Sequence, residues 1–180
     1  MERVEFYDAA PWGTADKQWQ STNRAMGRLI RLHRKGLDRT KSMAERILRK
    51  LESIFPIMEE LCRVTCPRCP DPCCIVNKVW IDFQDLILLH LTGQKIPPGQ
   101  LNTAQYENCR YLKPGGCMLP RNLRPWGCNQ YVCSTQIKNL QRSNRLRLNR
   151  LDTDIRSIRI ERLDMEDAFV LTISQNRKQN

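Results

Sequence analysis

Between Ser21 and Val64 apolar residues return at every third or fourth position. Ala44, Ile47, Leu48, Leu51, Phe55, Met58 and Leu61 fall on one face of a helix, and the intervening positions are largely charged or polar. Gly36 weakens this stretch and Pro56 removes a backbone donor, so the pattern predicts two or three helical pieces rather than one rod. A further helix is predicted in WIDFQDLILLHLTG, where Asp82 and Asp85 are placed to cap the start and Gly93 to end it. Beyond Cys133, Ile137, Leu140, Leu148, Leu151 and Ile155 lie near one face of another helix. The last segments, SIRIERL and AFVLTIS around DMED, alternate as a terminal β-hairpin would, and equally permit the helix to continue through Leu163.

Between these elements neither period is sustained. The first twenty residues, with Pro11, Gly13 and two tryptophans, read as an irregular arm, and CRYLKPGGCMLPRNLRPWGCNQYVC reads as loop. The fold expected is mainly α: a helical body around a loop-rich cysteine module, with room for a small C-terminal β-hairpin. A chain of 180 residues, 41% of them hydrophobic, suits one domain over residues 1–180. Within it the arm covers 1–20, the helical part 21–64, the cysteine module 66–133, and a helix with the hairpin 134–180.

No run of apolar residues is long enough to span a bilayer, and MERVEFYDAAPWGTADKQWQ lacks the layout of a signal peptide. The expectation is a soluble cytoplasmic protein without membrane contact. That compartment changes the meaning of the nine cysteines. Thiols in reducing surroundings are seldom kept as structural disulfides, and an odd number does not pair fully, so metal or redox chemistry takes precedence over a disulfide framework.

The spacings are Cys66-x2-Cys69-x3-Cys73-Cys74 in one block and Cys109-x7-Cys117-x10-Cys128-x4-Cys133 in the other. Two cysteines separated by two residues turn both sulfurs toward one tetrahedral ion, as in zinc knuckles and iron–sulfur loops. Adjacent side chains diverge along a trans backbone, so Cys73 and Cys74 suit two different ions or one polynuclear centre. Arg63, Arg68, Lys78, Arg110, Lys113, Arg121 and Arg124 surround these blocks against the lone acid Asp71, and nearby cations favour thiolate over thiol. Burial of eight cysteines as small hydrophobes does not account for two loop-rich clusters. Cys62 differs: it continues the stripe of Leu51, Phe55 and Met58 and reads as core, although with Cys66 and Cys69 it spells C-x3-C-x2-C.

The two blocks together resemble the YkgJ-like cysteine-cluster proteins, a bacterial family described as zinc- or iron-chelating. The resemblance covers residues 66–133 and rests on the C-x2-C…CC block, then Cys109, Tyr111, Leu112, Cys117, Arg124, Pro125, Cys128, Tyr131 and Cys133. Two departures are visible: PDP stands where the family has a short glycine-containing turn, and the interval from Cys117 to Arg124 is one residue longer. The resemblance implies Cys66, Cys69, Cys73, Cys74, Cys109, Cys117, Cys128 and Cys133 as metal ligands, with Arg124 and Tyr131 beside the cofactor. Read from the residues themselves, Arg124 is placed to donate to a cluster thiolate while Pro125 stiffens the approach to Cys128, or else the pair serves only to shape a turn.

Neither histidine lies in a cysteine block, so both His33 and His90 read as structural or solvated. All-thiolate ligation suits an iron–sulfur cluster and four-cysteine zinc alike, with C-x2-C-x3-C tilting the choice toward iron–sulfur. The corresponding functions are a redox or metal-handling module with a protein redox partner, and a zinc-stabilised scaffold for partner or nucleic-acid binding. Nucleic acid is suggested by a net charge of +11, with ten Lys or Arg in residues 24–50 and eight in 138–162. No DNA-reading motif accompanies the charge, so a solvated or partner-facing basic surface is preferred. No hydrolytic constellation is present in the sequence, and Asp82, Asp85 and Glu107 read as capping or solvated groups, which argues against an enzyme other than an electron carrier.

Overall fold

A computed structural model describes residues 15–70, 72–102, 108–113 and 116–176. Most of the predicted arm, and Glu107, lie outside the described residues. The chain runs through helix α1 (Asp16–Leu32), a short turn, α2 (Asp38–Thr65), α3 (Cys73–Val76) and α4 (Phe83–Leu91). A two-stranded antiparallel sheet follows, β1 (Leu112–Lys113) against β2 (Gly116–Cys117), and then α5 (Trp126–Asn129), α6 (Ser134–Ser143) and α7 (Arg145–Asn176). The fold is mainly α with one small hairpin. No helix among the described residues is long and apolar enough to cross a membrane.

The long helices α2 and α7 form the frame. The stripe of α2 buries Met43, Ala44, Ile47, Leu51, Ile54, Met58 and Leu61, and α7 answers with Leu151, Ile155, Ile158, Arg162, Met165 and Phe169 in steps of four and three. The predicted division of residues 21–64 occurs at the turn containing Gly36. Pro56 does not end α2, because burial of the stripe on both sides of it outweighs a local cost of about 3 kcal/mol.

Helix α4 packs against both α2 and α7, and α1 packs on α4. Its start is fixed by local chemistry: the Asp85 N–H donates to Asp82 Oδ1 at 2.7 Å and the Asp82 N–H to Asp85 Oδ2 at 3.2 Å, a capping box. Its end is fixed by Gly93 at φ +68°, after which the Gln94 N–H reaches back to the Leu89 carbonyl at 2.9 Å in a Schellman turn. Trp19 of α1 is buried and donates its indole N–H to the Pro97 carbonyl at 2.8 Å, tying α1 to the loop after α4.

The C-terminal segments are helical, so the hairpin read in SIRIERL and AFVLTIS is corrected: α7 continues past Leu163 to Asn176. Ile160, Leu163, Val170 and Leu171 remain exposed on the outer side, and their apolar character produces the apparent alternation. The hairpin lies in the cysteine module, where Leu112 faces Cys117 and Lys113 faces Gly116. A break at Asn144 separates α6 from α7, and its side-chain oxygen accepts the Arg147 N–H at 3.0 Å.

Candidate metal centre

The last turn of α2 carries Cys62, and Cys66 follows as the chain leaves the helix. Cys69 comes after a tight turn whose Cys69 N–H bonds to the Cys66 carbonyl at 3.2 Å, and Cys73 and Cys74 open α3. Cys109 precedes β1, Cys117 lies in β2, Cys128 lies in α5, and Cys133 immediately precedes α6. All nine are unpaired by disulfides; Cys66 is exposed and the others are half-buried.

Seven of these thiols form one electrostatically linked set. Burial, then the neighbouring Cys62, push the Cys66 thiol up to about 11, with Cys74 adding to the effect. Cys74 donates its proton to Cys73, which raises Cys74 and lowers Cys73 against the opposing effects of burial, Cys66, Cys128 and Cys62. Burial raises Cys128, reinforced by Cys74, Cys117 and Cys109. Burial also raises Cys109, with Cys117 and Cys74 contributing. Protons are therefore held tightly by most of the set, and a cation that replaces them relieves the mutual repulsion of the thiolates.

The set is gathered but not closed around an ion. Among the described residues no three His, Cys, Asp or Glu side chains are arranged to hold a metal. Electrostatic influence reaches farther than a coordination shell: zinc–sulfur bonds of about 2.3 Å place ligand sulfurs only ~3.8 Å apart. The donor chemistry suits a thiophilic metal, and coordination requires the sulfurs to turn inward from the positions seen here.

Of the two residues implied to flank a cofactor, Arg124 lies near the set. Its charge opposes the upward shifts of Cys74 and Cys128, while its Nε donates to the Leu119 carbonyl at 2.8 Å. Tyr131 is exposed on the stretch between α5 and α6. Tyr111 ties the module to the loop after α4, its hydroxyl donating to the Gly99 carbonyl at 2.8 Å. Cys133 leads into α6, where its N–H donates to Gln136 Oε1 at 3.1 Å. His90 faces Asn23 Oδ1 at 3.3 Å, and burial lowers its pKa, so it serves the α1–α4 contact.

Asp82 and Asp85, legible in the sequence only as a helix cap, also position the second block together with Arg162. The buried Asp85 carboxylate accepts the Trp126 N–H at 3.1 and 3.3 Å and so anchors the start of α5, two residues before Cys128. Arg162 of α7, only 1% exposed, donates to Asp85 Oδ1 at 2.8 Å and to both Asp82 oxygens at 2.9 and 3.0 Å. Its guanidinium carbon also lies 5.4 Å from the centroid of the Trp126 ring. Burial pushes the Asp85 carboxyl up to about 7 against the pull of Arg162. Burial likewise opposes the Arg162 charge, but Asp85 and Asp82 outweigh it and raise that pKa. All the hydrogen bonds described here at the Asp85 oxygens come from donors, which fits a carboxylate paired with a guanidinium at neutral pH.

Two more side chains reach Cys62: Arg121, which the sequence marks only as one of the cations near the blocks, and Gln136, which it does not mark at all. Arg121 is 4% exposed and donates from Nη2 to Cys62 Sγ at 3.1 Å and to the Met58 carbonyl at 2.9 Å. Gln136 Nε2 lies 3.7 Å from the same sulfur. An arginine in a loop and a glutamine in a helix give no recognisable pattern; the chain brings them together only in three dimensions.

No protein-family model, curated protein or solved structure matches the chain.

Proposed function

We propose that the protein binds metal through clustered cysteine thiolates, as an iron–sulfur protein with a redox or metal-handling role. One observation carries the reading: Cys66, Cys73, Cys74, Cys109 and Cys128 are shifted by one another and by Cys62 and Cys117, seven thiols brought from five separate stretches of chain without disulfides between them. Packing alone offers no reason to concentrate such groups where the charge of one opposes the ionisation of its neighbours. Cys66, Cys69, Cys73, Cys74, Cys109, Cys117, Cys128 and Cys133 are the ligands proposed, and the YkgJ-like spacing supports the same set. Arg124 supplies positive charge beside Cys74 and Cys128. A bound cluster supplies reversible one-electron chemistry, tuned by net charge and by N–H donors to sulfur.

A structural zinc centre is the second reading, favoured by the sparse regular structure of the module. Its helices α3 and α5 have four residues each and its strands two, so side-chain contacts and metal are left to fix the intervening chain. In that case the centre is a scaffold for a protein or nucleic-acid partner.

Iron, zinc and acid-labile sulfide should be measured on anaerobically purified protein, together with its absorption spectrum. Iron with sulfide and a visible band that bleaches on reduction supports the redox reading. Stoichiometric zinc in a colourless protein selects the scaffold, and protein that neither retains nor takes up either metal overturns both.

A further inference from the structure

We propose that Cys62 is a ninth thiolate of the metal centre, held by Arg121 and Gln136, rather than a core cysteine. The proposal rests on the metal-binding reading and extends it to a residue outside the two motif blocks.

The stripe position of Cys62 favours core packing, since Met58 and Leu61 on the same helix are buried. The surroundings of its sulfur do not. Arg121 Nη2 approaches Sγ at 3.1 Å and Gln136 Nε2 approaches it at 3.7 Å. A neutral thiol used as a small hydrophobe does not collect a guanidinium and an amide.

The electrostatics of Arg121 give a second and independent reason. Among the described residues no carboxylate forms an ion pair with this buried guanidinium, and its Nε has no hydrogen-bond partner. A buried charge without a counter-charge is costly. The C-terminal end of α2 contributes partial negative charge, but only a fraction of a unit. The side-chain acceptor in direct contact with Arg121 is the Cys62 sulfur, with Cys66 and Cys73 near it. N–H donors on a ligating sulfur spread its charge and fix its orientation.

Gln136 connects the same point to the second block. Its amide nitrogen also donates to Thr65 Oγ1 at 3.1 Å, and its oxygen accepts the Cys133 N–H at 3.1 Å. One side chain thereby spans the end of α2 and the last cysteine of the module. The centre draws on the helical body itself and not solely on the loops.

The test is differential alkylation of the full chain. Protein loaded with Zn(II), and the same protein stripped by chelator, are pulsed with N-ethylmaleimide, and the labelling rate of each cysteine is read by mass spectrometry. Cys62 should be slowed by metal about tenfold or more, in step with Cys66 and Cys73. An unchanged rate at Cys62 while Cys66 and Cys73 are protected overturns the ninth-ligand assignment and leaves the metal centre intact. Absence of protection at every cysteine overturns the assignment together with the metal reading.

Two variants complete the test where wild-type labelling is dominated by burial. Arg121→Gln keeps every thiol and should weaken Co(II) binding about tenfold, within the range for lost partners of metal ligands. Cys62→Ser should reduce the thiolate-to-cobalt charge-transfer absorption, whereas an unchanged spectrum and affinity in Cys62→Ser with wild-type helicity would sink the proposal.

Discussion

Arg162 and Asp85, on different helices, meet in the core with Nη1 to Oδ1 at 2.8 Å, and the same carboxylate receives the Trp126 N–H. A contact between α7 and the cap of α4 thereby sets where α5, and with it Cys128, begins. Replacing Arg162 by Met should leave the carboxylate buried and unpaired and lower stability by about 3–5 kcal/mol in urea titration. Metal retention should fall in the same variant, since α5 loses its anchor. Wild-type stability and metal content in Arg162→Met would refute the role of the pair.

Cys69→Ser and Cys128→Ser test the ligand set from its two blocks. Each should reduce metal content and lower the melting temperature of metal-loaded protein, with a much smaller effect after chelation. Unchanged metal and melting temperature in both variants would remove the basis for the proposed centre.

Gly127 separates Trp126 from Cys128 under a packing constraint. A Cβ at this position would lie 2.6 Å from Val79 Cγ1, and a β-branched side chain has little freedom to withdraw. Gly127→Ala should cost about 1–3 kcal/mol and slow metal uptake by displacing α5. The comparison is Gly116→Ala, where φ of +108° imposes backbone strain although no neighbouring atom is met. That variant should disturb the hairpin while sparing the Val79 contact, and equal perturbation of Val79 by both, read by NMR chemical shifts, would contradict the packing argument.

Glu161 of α7 bridges to α2 through Arg46 Nε at 2.9 Å and through Lys50 Nζ. Burial works against its charge, but hydrogen bonds from Lys50 and Arg46 prevail and hold the carboxyl below its ordinary 4.5. The folded state therefore keeps Glu161 ionised at a pH where the unfolded chain protonates it. The resulting stability is complete above the unfolded pKa and disappears as pH falls through the folded one. At pH 7 Glu161→Gln should be less stable by about 0.5–1 kcal/mol, and the difference should shrink once pH falls below the ordinary 4.5 and vanish beneath the folded pKa. A difference independent of pH in thermal melts would exclude this ion pair as its source.

The sequence made the α4 cap legible because Asp82 and Asp85 act within one turn, and the helical stripe of α2 because its period survives over many residues. Arg162 was harder to read. It looked like one more cation in a basic stretch, yet it occupies an inward position in the series Leu151, Ile155, Ile158, Arg162, Met165 and Phe169. A charge at a core position was the available signal. The C-terminal helix was ambiguous because α7 carries apolar residues on both its buried and its exposed sides, so that two periods fit it. The actual hairpin has strands of two residues, too short for any alternation.

The thiol blocks were visible as spacing, and their gathering at one end of the helical frame follows from the loops that join them. The Cys62–Arg121–Gln136 contact was not visible, because it joins three segments that are distant in sequence and individually unremarkable. Cys62 itself was assigned to the core by helical phase. Phase identifies which way a side chain points but not the polarity of what it meets.

The buried Arg162 has a consequence for biosynthesis. It lies well beyond Cys133, so a nascent chain exposes all nine thiols before the residue that neutralises the α4 cap has emerged. Until α7 docks, Asp85 lacks its guanidinium and the start of α5 has a weaker hold. Ordering of the second cysteine block is thereby deferred until α7 has emerged and docked, and chains truncated before Arg162 retain every cysteine without the support that anchors α5.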